Sequence, residues 1–262
     1  MCYLEMKDDV YDSGKKLYHY TNIESLYYIL KNKTIRFNNL TKVNDLDEKE
    51  SSDLGDFGKF AFVSCFTYKS EDNIPMWYMY SKGMTGVRLE LPCDFFDYDK
   101  ANEQILKKLN ETNLLQTKTS FLSLPITGIN MDYIKEEDFH YPQILNINNK
   151  DDWYVVLNKL GRNKKDAWKF EEECRYAIYT HPTHLFDKNK SPTKIKSYVE
   201  NFEQKLALID IPIKDEIIKE IKILLAPEIS PFDTELVYLF ADKFGVPAEN
   251  IRTSSLTGKI RV

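Results

Sequence analysis

Four stretches of the chain alternate or concentrate apolar residues in the manner of β-strands. The central strands are predicted at residues 17–20, 60–67, 85–91 and 174–179. Residues 85–91 alternate apolar with charged side chains, which is typical of a half-exposed strand. Residues 60–67 are apolar on both faces until Ser64 and Thr67, which indicates a strand in the middle of the sheet. The pattern therefore predicts a sheet whose central strand ends in hydroxyl groups.

Helical patterns lie between some of these strands. Residues 21–24 form a capping box with Thr21 as the N-cap, and the apolar spacing after it predicts a helix to about Lys31. A second short helix is predicted to begin after the cap residue Asn73. A third opens near residue 230 and ends at Gly245, since glycine commonly terminates helices.

Residues 93–165 carry weaker patterns and are predicted to be an insertion in the sheet. Within it we expect an amphipathic stretch at 103–109, a strand at 131–135 and a helix at 153–160. A loop over residues 181–193, rich in Pro, Asn and Lys, is the one plausible internal boundary.

Regular patterns return in residues 194–262. They predict strands at 206–211, 221–225 and 251–253 and a helical turn at 215–219. We expect this C-terminal α/β extension to pack on a core of about residues 15–180, so that residues 1–262 form a single domain. The predicted fold class is α+β, a mixed split β-sheet with flanking helices, because strand and helix do not alternate at the spacing of a doubly wound sheet.

Composition narrows the possible partners. The 262 residues, 42% of them hydrophobic, can bury a substantial core, and the net charge of -5 offers no global basic field for nucleic acid or an anionic membrane. The basic run at 162–165 is interpreted as a solvated face. The four cysteines are scattered without a metal-binding spacing, so no metal site is predicted. With no signal peptide or membrane span, the protein is expected in the cytoplasm.

The residues that carry candidate chemistry lie where a charged segment, 166–173, runs into an apolar strand. Glu173 and Arg175 are two positions apart and should share one face of that strand, and Glu171 joins them if the strand begins early. A preorganised carboxylate stabilises a developing positive charge, which makes this a candidate catalytic site. The alternative is an exposed ion pair with no chemical role.

Two other places collect useful side chains. One is His19 with Thr21, and the other runs from Ser64 to Tyr80. On a helix Tyr78 and Tyr80 point about 200° apart, so we expect only one of them to line a cleft. Phosphate-binding loops of the Walker and GxGxxG types are absent from the sequence.

Taken in order, these motifs resemble a bacterial family of unknown function, DUF2971. The matching residues are Leu17-Tyr18-His19-Tyr20-Thr21, Asn44-Asp45 with Glu48, Val63-Ser64-Cys65-Phe66, Met76-Trp77 with Tyr80, Gly86-Val87, and Trp168 with Glu171, Glu173 and Arg175. The chain departs from the family pattern at Leu46, where the family usually has proline. That family is in turn similar to the ADP-ribosyltransferases.

This resemblance implies an ADP-ribosyltransferase-like fold and an enzyme that takes NAD as a substrate. By it, His19 and Thr21 hold the ribose and carboxamide, Tyr78 or Tyr80 stacks on nicotinamide, Glu173 is catalytic and Glu171 positions the acceptor. The implied NAD-binding set is His19, Tyr20, Thr21, Arg36, Ser64, Trp77, Tyr78, Tyr80 and Arg175. The acceptor would be a protein or a nucleic acid, and the biological role that of a bacterial defence or toxin effector.

Two alternatives remain open at this point. The first is a non-catalytic module that binds a nucleotide or an RNA end on the same fold, using Arg36, Arg88 and Arg175. The second is an RNA 2′-phosphotransferase, which needs both NAD and a phosphate-binding arginine pair. The sequence leaves open which of Glu171 and Glu173 is catalytic, and the oligomeric state.

Overall fold

The structure is a computed structural model that describes residues 15–101, 103, 119–121, 126–149, 152–182 and 193–260. Most of the predicted amphipathic stretch at 103–109 and most of the predicted loop at 181–193 lie outside these residues.

Fourteen strands are present in the described part of the chain. They are β1 Lys16–Thr21, β2 Thr34–Asn39, β3 Ala61–Thr67, β4 Val87–Pro92, β5 Thr119–Phe121, β6 Thr127–Asn130, β7 Asp132–Ile134, β8 Leu145–Asn149, β9 Asp152–Val155, β10 Asn163–Lys165, β11 Glu173–Pro182, β12 Leu208–Pro212, β13 Lys222–Leu225 and β14 Ile251–Thr253. Ten of them form one sheet, with the order β12-β2-β3-β1-β4-β13-β14 and with β11 joining β3 to β5 and β6. Only β13 and β14 run parallel within it, and its other pairs are antiparallel. The predicted α+β class with a mixed sheet is therefore confirmed.

Four α-helices with both ends in the described residues flank the sheet: α1 Ile23–Asn32, α2 Ile74–Tyr80, α3 Thr193–Asn201 and α4 Pro231–Phe244. Residues 98–101 are helical as well. The N-cap of α1 is Asn22, whose side chain accepts from the Ser25 amide at 2.8 Å, and not Thr21 as predicted. Thr21 is still part of β1, where it pairs with Val87. None of these helices is both long enough and apolar enough to span a membrane.

The predicted helix at 153–160 is wrong. Residues 152–155 form β9, which pairs with β8, and a single 3-10 turn follows at Leu157–Lys159. This segment contains Trp153, Tyr154 and Val155, which are residue types that favour β-strands. Pairing with β8 favours the strand over the predicted helix. The predicted strand at 131–135 is present as β7.

Apolar side chains cover both faces of the sheet. On one face Phe62 and Leu89 pack in a cluster that includes residues of α1 and α4, such as Leu26 and Val237. On the other face Val63 and Ala177 belong to a second cluster, to which α3 and the inserted segment contribute. The C-terminal strands extend this sheet, since β12 pairs with β2 and β13 with β4.

Candidate active site

The sheet splits along one edge of β3. At one end of this edge Thr67 pairs with Tyr18 of β1, and at the other end Val63 and Phe62 pair with β2. Among the described strands, residues 64–66 have no pairing partner on this edge. On the opposite edge, every residue of β3 pairs with β11. A cleft therefore opens between β1 and β2, with the middle of β3 as its back wall.

A pocket with a cavity volume of about 340 Å³ lies in this split. Its lining includes most of the residues singled out from the sequence, although they come from distant segments: His19, Tyr20, Arg36, Ser64, Tyr80, Glu171, Glu173 and Arg175. The volume lies near the lower end of the range for small-molecule sites. Ser64 is buried, and its hydroxyl has no hydrogen-bond partner among the residues that the structure describes.

Five buried charged side chains form the floor of the pocket and the layer behind it. Arg175 holds one oxygen of Glu173 with Nε at 2.8 Å and Nη2 at 2.6 Å, and its Nη1 bonds to Glu48. Lys164 donates to the other oxygen of Glu173 at 2.5 Å and to Glu171, and its Nζ lies 3.2 Å from Glu48. All five residues are less than 9% exposed. The alternative of an exposed Glu-Arg pair is therefore wrong.

A left-handed residue sets the direction of the neighbouring carboxylates. Glu171 ends a 3-10 segment, Asp166–Glu171, and Glu172 has a φ of 40°, a conformation that costs a non-glycine residue roughly 1–2 kcal/mol. This turn allows Glu171 and Glu173 both to point inward. Glu172 points outward instead, half exposed, and pairs with Lys69 at 3.0 Å.

These charges shift one another's titration. Burial raises the pKa of Glu173, but Arg175 and Lys164 outweigh it and hold this pKa at about 2. Burial dominates at Glu171 and Glu48, and their pKa values are raised. Burial also opposes the charge of Lys164, but the surrounding carboxylates prevail and raise its pKa. Glu173 is thus ionised at neutral pH, between two fixed cations.

His19 occupies the β1 side of the split. Its Nδ1 lies 2.9 Å from the carbonyl oxygen of Cys65, and because a carbonyl only accepts, Nδ1 carries the proton. Burial lowers the pKa of His19, with the Cys65 carbonyl opposing it. The ring is therefore neutral at pH 7, and its Nε2 is a hydrogen-bond acceptor.

Three residues of the predicted NAD-binding set are not part of the pocket lining. Tyr78 is 57% exposed on the outer face of α2. Trp77 is fully buried and donates from Nε1 to Asp72 at 2.9 Å. Thr21 is buried at the end of β1. Of the two tyrosines, Tyr80 lines the pocket and Tyr78 does not. Their 200° separation predicts that one of them does, without saying which.

Sequence reasoning missed Lys164 at the centre of the site. The basic run at 162–165 predicts a solvated face, and this prediction is wrong for Lys164, which is only 5% exposed. On β10 its neighbours Asn163 and Lys165 are partly exposed while Lys164 points inward. The alternation of a three-residue strand was the only available signal. No group of three His, Cys, Asp or Glu residues within the described ranges could hold a metal ion.

The family model for DUF2971, described as a protein of unknown function, matches residues 76–176. This segment contains the Met76-Trp77 motif and the residues Glu171, Glu173 and Arg175, so the resemblance predicted from these motifs is confirmed. The motifs at residues 19–21 and 44–48 lie before the matched segment.

Two solved structures are similar to the protein over most of its length. One is DarT from Thermus sp. 2.9 in complex with NAD+, with 12% identity and a TM-score of 0.32, covering 93% of this chain and 96% of that chain. The other is the same protein in complex with carba-NAD+, with 13% identity, a TM-score of 0.28 and the same coverage. A search of curated proteins found no match.

Proposed function

We propose that the protein cleaves NAD between nicotinamide and ribose and transfers ADP-ribose to a macromolecular acceptor, a protein or a nucleic acid. The observation that carries this proposal is the separation of charge in the pocket. Behind and below it lie three carboxylates and two cations, a net charge of -1 when all are ionised. Arg36 and the exposed Lys42 line the mouth.

NAD has the complementary distribution of charge. Its nicotinamide ring is cationic while bound to ribose, and its pyrophosphate is anionic. A net negative floor favours the nicotinamide end, and basic side chains at the mouth favour the pyrophosphate. Arg36 is half exposed and also pairs with Asp210 at 2.9 Å, so part of its charge is already compensated.

The same floor suits the transition state of the reaction. When the C1′–N bond breaks, its electron pair goes to the nicotinamide nitrogen, and the ribose is left as an oxocarbenium-like cation. An ionised carboxylate fixed beside this cation lowers its energy, because the protein needs no reorganisation at that moment. Glu173 supplies such a carboxylate, and Arg175 and Lys164 fix its direction.

The other lining residues receive roles consistent with their positions. The ring of Tyr80 stacks on nicotinamide, and the Nε2 of His19 accepts a ribose hydroxyl. The unpartnered hydroxyl of Ser64 bonds to the bound substrate. Glu171 positions the acceptor, which attacks C1′ and passes its proton to the carboxylate of Glu171. The proposed role as a bacterial defence or toxin effector in the cytoplasm rests on the family resemblance alone.

The second candidate is a module that binds a nucleotide or an RNA end without catalysis, and the basic mouth favours it. The RNA 2′-phosphotransferase alternative has less support. It needs an arginine pair free to bind phosphate, whereas Arg175 is engaged by Glu48 and Glu173, and Arg88 donates to the carbonyl of Glu71 outside the pocket lining.

Incubation with labelled NAD and cell lysate tests the leading proposal. We expect release of nicotinamide and a labelled macromolecule, together with a rise in melting temperature once NAD exceeds its dissociation constant. No release and no melting shift would contradict the proposal. RNA retention that is lost on Arg36→Glu but insensitive to NAD would favour the binding module instead.

A further inference from the structure

One ammonium group meets three carboxylates that come from three separate segments. Glu48 lies in the loop after β2, Glu171 ends the 3-10 segment and Glu173 begins β11. The Nζ of Lys164 contacts all three, at 3.2 Å from Glu48, at 2.5 Å from Glu173 and in a shorter contact with Glu171. Only Glu171 and Glu173 of these acids line the pocket, so Glu48 acts from behind them.

The arrangement matches the donors of a lysine. Two of the three N–H groups of Lys164 are used in hydrogen bonds to Glu171 and Glu173, and the Oε1 of Glu48 lies within ion-pair distance of the same nitrogen. The Nζ of Lys164 also lies 5.4 Å from the ring centroid of Trp168, which is a further contact favourable to a cation. Strand β10, paired in parallel with β7, fixes the backbone that carries this side chain.

Each charge around Glu171 and Glu173 favours either their ionised or their protonated form. Lys164 favours the ionised form of both carboxylates, and Arg175 favours that of Glu173. Burial favours the protonated form of both, as does the negative charge of Glu173 at Glu171 and the repulsion between Glu48 and Glu173. The hydroxyl of Tyr80 donates to Glu171, and the backbone N–H of Glu173 donates to the hydroxyl of Tyr133 at 2.7 Å. Opposite charges within about 4–6 Å typically move a carboxyl pKa by about 1–3 units.

We propose that Lys164 and Glu48 are a pair of positioning residues that together set the charge of the Glu171-Glu173 pair and so the pH range of the site. Lys164 favours the ionised form of both carboxylates and aims them at the pocket. Glu48 holds Lys164 and Arg175 in place and limits how strongly they act. This inference rests on the proposed NAD chemistry, and it extends to the charge state of the same site.

The two residues carry opposite charge, so their substitution should move the pH profile in opposite directions. Lys164→Met should shift the acidic limb of the kcat/KM profile for NAD upward by about 1–3 pH units, because Glu171 and Glu173 then retain protons longer. Glu48→Gln should shift it downward. Lys164→Arg should restore most of the wild-type profile. Lys165→Met, a neighbouring change at a side chain that pairs with Asp47 and Glu136, is the control and should leave the limb in place.

Thermal unfolding measured against pH supplies a readout that does not need NAD. As the pH falls from about 8 to about 5, the melting temperature of Lys164→Met should approach that of the wild type, since protonation removes the uncompensated charge. The melting temperature of Glu48→Gln should instead move away from that of the wild type over the same pH range. If both variants shift the acidic limb or the melting-temperature difference in the same direction, or if neither variant shifts them, this inference is overturned. A wild-type protein without NAD turnover that still shows these opposite trends would overturn the proposed function alone.

Discussion

Tyr80 donates its hydroxyl to Glu171, a residue 91 positions later in the chain. The bond joins the last turn of α2 to the end of the 3-10 segment, and both side chains line the pocket. Burial and the negative charge of Glu171 raise the pKa of Tyr80, so its hydroxyl remains a donor at neutral pH. One aromatic ring is thereby held at the cleft beside the acidic floor.

If this ring stacks on nicotinamide, Tyr80→Ala should weaken NAD binding. Stacking of an aromatic side chain on a base is worth about 1–3 kcal/mol, so the dissociation constant should rise by roughly 5- to 150-fold. Tyr78→Ala is the matched control on the same helix, because that ring is exposed, and it should leave the affinity unchanged. Calorimetric titration with NAD measures both. Equal losses for the two variants would contradict the assignment of Tyr80.

Trp77 is a structural residue in this account. Its indole packs edge-on against the ring of Tyr20, with the ring centroids 4.8 Å apart. Its Nε1 donates a hydrogen bond to the carboxylate of Asp72, which also accepts from the hydroxyls of Ser254 and Ser255 and so links α2 to the C-terminal segment. Trp77→Phe removes that bond and part of the buried volume, and should lower the free energy of unfolding by about 2–4 kcal/mol. Urea unfolding measures this loss. A variant of unchanged stability that loses NAD affinity about tenfold would place Trp77 in the binding site instead.

Much of the fold could be predicted because long apolar patterns specify it locally. Strands β1, β3, β4 and β11 lie where the apolar patterns predict them, and the side chain of Asn73 caps α2 by accepting a 3.1 Å hydrogen bond from the backbone N–H of Met76. The short strands β9 and β10 could not be predicted in the same way. Three or four residues carry too little periodicity, and their partners β8 and β7 decide the structure.

The site was predictable only as separate pieces. The i, i+2 spacing of Glu173 and Arg175 showed that they share a face, and the motif order drew attention to His19 and Tyr80. No local pattern shows that Glu48 reaches Arg175 across 127 positions or that Lys164 is buried. Such contacts depend on the split between β1 and β2, which is a property of the whole sheet.

The stability of the wild type relative to Glu173→Gln should depend on pH with a definite sign. The folded-state pKa of Glu173 is lowered to about 2, so its stabilising contribution is present above its ordinary value of 4.5 and is lost as the pH falls toward 2. Chemical unfolding at several pH values should show a difference that is constant above about pH 5 and shrinks below it. The charge of Glu173 also raises the pKa values of Glu48 and Glu171, so the comparison is made in a background that carries Glu48→Gln and Glu171→Gln, where these two groups do not titrate. A difference that grows on acidification would contradict the assignment.

The most direct test of the account is the rate of nicotinamide release from NAD by Glu173→Gln. The amide keeps the shape of the side chain and removes the charge that acts on the ribosyl cation, so NAD should still bind while the rate falls about 100- to 1,000-fold, roughly 2.7–4 kcal/mol. A melting curve and an NAD titration on the same sample establish that the variant is folded and binds. Glu172→Gln, whose side chain is half exposed and points away, is the control and should retain the wild-type rate. Full activity of folded Glu173→Gln, with loss of activity in Glu171→Gln, would make Glu171 the catalytic group, and full activity in both would contradict the enzymatic role of these carboxylates.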